Sequence, residues 1–141
     1  MPGDQEVQQN MQKYQELQQQ IQQVQEYIEQ VDQNIDEMGE TISAVDQLDD
    51  QEEGSEILVP IGSGAFVVGE LKENSKVVTN IGGEAFEKRD LEDADEILNQ
   101  RLEQLKETKE DLGSTVQQLQ QQMQQIQGEL QEARKGSATE Q

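Results

Sequence analysis

Two acidic runs and one glycine-rich turn are the stretches whose residue types suggest chemistry. Asp49-Asp50-Gln51-Glu52-Glu53 and the run over residues 90–96 offer carboxylate oxygens, the ligands a hard cation such as Ca²⁺ prefers. They lack the alternating ligands and central glycine of an EF-hand loop, so solvated charge is the better reading. Gly62-Ser63-Gly64, followed by Gly69, faintly resembles a phosphate-binding loop. No helix follows it and no Gly-Lys-Ser/Thr completes a nucleotide signature, so a hairpin turn accounts for it better. The chain has no histidine and no cysteine. The commonest general base, the thiol nucleophile and two of the main metal ligands are therefore missing. No catalytic residue, metal site or cofactor is expected, and the chain does not read as an enzyme.

The elements around these stretches explain more than the stretches themselves. Ile57-Leu58-Val59-Pro60-Ile61 runs into the glycine turn and returns as Ala65-Phe66-Val67-Val68-Gly69-Glu70-Leu71. Lys76-Val77-Val78-Thr79-Asn80-Ile81, a Gly82-Gly83 turn and Glu84-Ala85-Phe86-Glu87-Lys88 repeat the pattern. Short β-branched and aromatic runs punctuated by glycine predict two hairpins over residues 56–88. Ile57, Val59, Phe66, Val68, Val77, Val78, Ile81 and Phe86 are more apolar groups than short isolated strands can leave in water. Either the hairpins cover one another, or they join the strands of other subunits. With so little other core, assembly into an oligomeric β-barrel is the expectation.

Glutamine-rich heptads flank the hairpins. Over residues 5–50 the a positions are Val7, Tyr14, Ile21, Ile28, Ile35 and Ile42. The d positions are Asn10, Leu17, Val24, Val31, Met38 and Val45, with Leu48 out of phase. Over residues 90–134 the d positions are Leu91, Leu98, Leu105, Leu112, Leu119, Ile126 and Ala133. Leu102, Val116, Met123 and Leu130 fill a positions, and Lys109 interrupts them. Lys109 is either a register device or, the preferred reading, a side chain that lays its stem on the seam and its charge in water. Asp4 and Asp90 are candidate N-caps. Gly39, Gly113 and Gly128 are soft spots within the helices. Two helices of nearly equal length, joined by a chain-reversing insert, predict a long antiparallel coiled coil. The fold class is α+β, mostly α, with residues 1–4 and 135–141 as disordered ends.

Bulk properties narrow the function. Only 31% of the 141 residues are hydrophobic, 3% are aromatic, and mean hydropathy is −0.93. This composition argues against a globular core and would suit a disordered chain, but the regular apolar stripes point to a coiled coil. The formal net charge of −21 repels nucleic acid. Self-repulsion of this size is relieved by salt, so a salt-rich cytosol, as in a halophilic archaeon, is expected. Cooperative folding at low salt, followed by circular dichroism, is the result that counts against it. No apolar run reaches membrane-spanning length and no signal peptide is visible, so a cytoplasmic location is expected and no membrane partner.

Folding the helices back also sorts their charge. Gln18-Gln19-Gln20 comes to oppose Gln120-Gln121-Gln122 near a weakly charged tip, while acids collect near the hairpins. Glutamine there is either a good helix former on a solvated face or the mark of a tip that tolerates varied apolar partners. Val7, Met11, Tyr14, Met123, Ile126 and Leu130 are the candidate residues at the tip for such apolar contacts; Met11 is off the seam.

Helix, two hairpins, helix, centred on Leu58-Val59-Pro60-Ile61-Gly62-Ser63-Gly64-Ala65-Phe66 and Lys76-Val77-Val78-Thr79-Asn80-Ile81-Gly82-Gly83, resembles the alpha class of the archaeal prefoldin family. The resemblance covers essentially the whole chain, and the two hairpins distinguish alpha from beta. It implies a hexamer of two alpha and four beta subunits whose strands form central barrels. It further implies an ATP-independent chaperone that holds unfolded proteins at the coiled-coil tips and delivers them to a group II chaperonin. A purely structural scaffold is the alternative.

Overall fold

The computed structural model describes residues 3–139 in the order α1 (Asp4–Leu48), β1 (Glu56–Gly62), β2 (Ala65–Glu70), β3 (Lys76–Gly82), β4 (Ala85–Asp90) and α2 (Leu91–Thr139). Two long helices and two small antiparallel hairpins make an α+β fold that is mostly helical.

The helix ends differ from the sequence expectation in instructive ways. The carbonyl of Gly3 accepts hydrogen bonds from the Glu6 and Val7 amides at 3.0 and 3.2 Å. Gly3 therefore holds the cap position expected of Asp4, which instead places its charge in the positive first turn. The remaining residues of the expected frayed start, 1 and 2, lie outside the described residues. α1 ends at Leu48, two residues short of the expected 50, as Asp50 and Gln51 donate to Gln47 and Leu48 in three-residue turns. Carboxylates are unfavourable at the negative end of a helix, and the last turn carries no base to offset them. α2 runs on to Thr139, whereas a disordered tail was expected from 135. Ala133, Arg134 and Lys135 are good helix formers and no proline follows to stop them. Residues 140 and 141 lie outside the described residues.

Two compact units are present: Met1–Asn34 with Leu105–Gln141, and Ile35–Gln104. In the first, the helical segments run antiparallel. The Asn10 amide donates to Glu129 at 3.3 Å, and Lys109 Nζ meets Asp32 Oδ1 at 2.6 Å. Twenty-two residues forward along α1 thus match twenty backward along α2. Every expected a and d position of both helices is buried or half-buried except Lys109. Val31, Val45 and Leu98, all d residues, are the most enclosed of the stripe. Among the described residues no large side chain is completely buried, so stability comes from a thin seam rather than a core. Lys109 is exposed and paired across to Asp32, as a side chain reaching outward from the seam should be.

The second unit carries the hairpins. β1 pairs with β2 and β3 with β4, in two separate two-stranded sheets. In the first turn Ser63 and Gly64 both have positive φ, 52° and 79°, as a type I′ connection requires. In the second, Gly82 pairs with Ala85, so the loop is Gly83-Glu84 rather than the expected Gly82-Gly83. Of these two only Gly83 has positive φ, 57°, in keeping with a type II′ connection. Asn80 fixes it, accepting from the Gly82 amide at 2.8 Å and donating to the Gly83 carbonyl at 2.9 Å.

Candidate interaction surfaces

In an antiparallel pair, residues directly opposite share a face. Leu58 stands opposite Val68 and Pro60 opposite Phe66 on one face of the first hairpin. Val59 opposes Val67 and Ile57 opposes Gly69 on the other. Both faces are thus apolar, and both are open: Leu58, Val59, Phe66, Val67 and Val68 are all exposed. A sheet that normally meets water on one side alternates apolar and polar residues; this one does not. Each strand also keeps one edge without a ladder partner in the chain.

The second hairpin is built differently. Val78 and Phe86 are exposed on one face, while the other contains buried Thr79 and half-buried Val77. The start of α2 supports it. The Arg101 guanidinium donates to the Asn80 carbonyl, and Ala94, seven residues earlier on that side of the helix, is wholly buried. This second stripe lies outside the heptad positions. The Leu91 amide donates to the Ser75 carbonyl at 3.1 Å, tying the entry of β3 to the start of α2. The first hairpin is held at its base by a ladder extension, Gly54 donating to Leu71 and Leu71 to Ser55, and by the Asn74 amide on the Gln51 carbonyl.

Charge follows the same division. Residues 56–90 hold six acids and four bases, so they carry −2 of the net −21. Lys88 pairs with Glu73 at 2.7 Å, and this hydrogen bond holds the Glu73 carboxyl below its ordinary value of 4.5. Burial opposes the shift, and the charges of Lys88, Lys76 and Lys72 add to it. The acidic runs flanking the hairpins line an open cleft with Asp46, Asp49, Asp90 and Glu92. Among the described residues no group of three or more carboxylates is arranged to hold a metal ion.

Of the eight sequence-derived assembly residues, seven are exposed and Val77 alone is half-buried, because it shares a face with Thr79. Leu58, Ile61 and Val67, outside that set, are exposed in the same way. Of the six tip residues, Met11 is 50% exposed, while Val7, Tyr14, Met123, Ile126 and Leu130 are half-buried in the seam. Tyr27, unremarked in the sequence, is exposed off the seam. Among the described residues no helix is long and apolar enough to cross a membrane.

Two long helices with two small antiparallel hairpins between them in the chain have known relatives. Residues 17–136 match the Prefoldin subunit family. The chain belongs to that family. Prefoldin subunit alpha of Methanothrix thermoacetophila is 39% identical over 69 residues, covering 49% of this chain and 45% of that protein. Prefoldin subunit alpha of Thermofilum pendens is 35% identical over 66 residues, 47% of this chain and 51% of that protein. These alignments span about half the length of the prefoldin relatives they match. A filamentous prefoldin of Methanocaldococcus jannaschii, solved by cryo-electron microscopy, superposes with a TM-score of 0.77. It covers 84% of this chain and 98% of that one at 21% identity, a likeness of fold.

Proposed function

We propose that the chain is an alpha-type prefoldin subunit, acting in an ATP-independent chaperone that holds unfolded proteins. In this reading the hairpins join beta subunits in a hexamer of two alpha and four beta chains. The glutamine-rich helix ends capture clients for transfer to a group II chaperonin in a cytoplasm, one rich in salt. The observation that carries the assembly is the first hairpin, apolar on both faces and open on both. Exposed apolar surface of this kind marks an interface in a soluble chain. Near-neutral hairpins in a chain of −21 lower the repulsion between copies at that interface. For capture, exposed Met11 and half-covered neighbours at the helix ends supply adaptable apolar contacts. Weak contacts on several arms gain strength together through effective concentration.

A scaffold without client binding is the second reading, favoured by the engagement of five of the six tip residues in the seam. Suppression of aggregation of a chemically unfolded protein, in molar KCl without ATP, separates the two. The full assembly, made with its beta partner, is compared with one whose alpha chain lacks residues 1–13 and 124–141. Weaker suppression by an equally assembled truncated form is expected. Equal suppression moves the role of this chain to building the barrel, and none from either favours the scaffold.

A further inference from the structure

The two hairpins have strands of matching length, yet the rest of the second unit holds them in different ways. In the first, every residue of β1 and β2 is exposed except Gly69, which lies beside Ile57 and Val59 of its own hairpin. Among the described residues no side chain from elsewhere in the chain makes a hydrogen bond or ion pair with residues 56–70. Attachment is confined to the base, at Gly54, Ser55 and Leu71 and at the Asn74 amide on the Gln51 carbonyl. The second hairpin is docked. Thr79 is buried, Val77, Asn80 and Arg89 are half-buried, and the Arg101 guanidinium of α2 donates to the Asn80 carbonyl. Asn80 in turn fixes the turn through Gly82 and Gly83, so α2 steadies that hairpin as far as its turn.

Local sequence widens the difference. Pro60 supplies no ladder donor, and Gly69 gives Ile57 no side chain to pair with across the strands. Ser63 sits at φ 52°, a region that few residues other than Gly, Asn and Asp adopt readily. β3 and β4 contain no proline and no internal glycine, and the positive φ values of their turn fall on Gly82 and Gly83. A two-stranded hairpin alone in water is marginal at best, and the first hairpin has nothing over either face. We propose that the first hairpin opens and closes independently of the rest of the free subunit and is locked only by assembly, whereas the second is preformed, with Arg101 as its positioning residue. The subunit then offers a fixed platform beside a segment that takes its final order on the partner. The ordering cost of that segment falls at association, which lowers affinity for a given contact area and lets it fit partners that differ in detail. Locking rests on the assembly reading; the contrast between the hairpins in the free chain does not.

Amide hydrogen exchange followed by mass spectrometry tests both parts. It is run in molar KCl on the full chain alone, diluted until its mass is that of a monomer, and on the complex with beta subunits. In the free chain, residues 56–70 exchange within about tenfold of an unstructured peptide, and residues 76–90 about a hundredfold or more slowly than that peptide. In the complex both segments exchange slowly. Arg101→Met removes the guanidinium and keeps a good helix former. In the free chain it speeds exchange of 76–90 toward that of 56–70, with helicity by circular dichroism unchanged. Arg101→Lys, which keeps a charged donor, retains part of the protection. Equal protection of the two segments in the free wild-type chain, or slow exchange of 56–70 there, overturns the inference. Exchange of 76–90 that Arg101→Met leaves unmoved overturns the role of Arg101. Fast exchange of 56–70 that persists in a complex of full mass overturns the assembly reading for the first hairpin, while the contrast in the free chain stands.

Discussion

Leu58 stands opposite Val68 on the first hairpin, and these two side chains, 62% and 60% exposed, have nothing of their own chain above them. The pair sits on one face while Val59 and Val67 pair on the other. One neighbour cannot cover both.

Single polar substitutions on the two faces should therefore both impair assembly without unfolding the helices. Val68→Lys and Val67→Lys each place a charge where an apolar surface must be desolvated, a cost of several kcal/mol if the charge stays buried. Size-exclusion mass of the complex with beta subunits should fall for each variant, with helicity by circular dichroism retained. Full assembly of either variant would show that face to be open in the complex.

Glu73 and Lys88 give a prediction in acid. The carboxyl of Glu73 is held low by Lys88, so its contribution is present above the unfolded value near 4.5 and is lost as pH falls through the lower folded value. Carboxyl titration by NMR should place Glu73 below 4.5, and Lys88→Ala should move it upward. A Glu73 titration indifferent to Lys88→Ala would remove the pair from the account.

The helical glycines offer stabilisation. At Gly39, Gly113 and Gly128 an added Cβ meets nothing within 4 Å. Replacement by alanine should raise stability by about 0.5–1 kcal/mol each, through helix propensity alone. Thermal melts of the three single variants test it; a lowered midpoint at any one would point to a packing constraint there.

Much of this fold is legible in the sequence, because each helix repeats one apolar pattern many times. Val31, Val45 and Leu98 are assigned to d by the heptad like their neighbours, and each is enclosed. The hairpin turns were nearly as readable, though glycine spacing could not tell Gly82-Gly83 from Gly83-Glu84, since register depends on the bulge beside Asn80. What stayed hidden was contact off the repeat. Ala94 and Arg101 lie outside the heptad, so no periodicity announces that they support the second hairpin. Gly3 as a cap was equally silent, for its backbone carbonyl does the work that a side chain advertises elsewhere. Which residues of α1 stand beside which of α2 needs the register between the two helices, which follows from Asn10 meeting Glu129 and not from either helix alone.

The separation of the hairpins into two independent sheets also sets an order in time. Partners in the first hairpin are at most fourteen residues apart, Glu56 with Glu70, whereas Asn10 and Glu129 lie 119 apart. Local pairing forms in roughly microseconds, and long-range closure follows later. On a ribosome the first hairpin is complete once residue 71 has emerged, before any of α2 leaves the exit tunnel. The exposed apolar hairpin thus emerges after α1 but ahead of the helix that pairs with α1. A nascent chain therefore shows apolar surface while its first helix still lacks a partner, the kind of intermediate that is prone to aggregate.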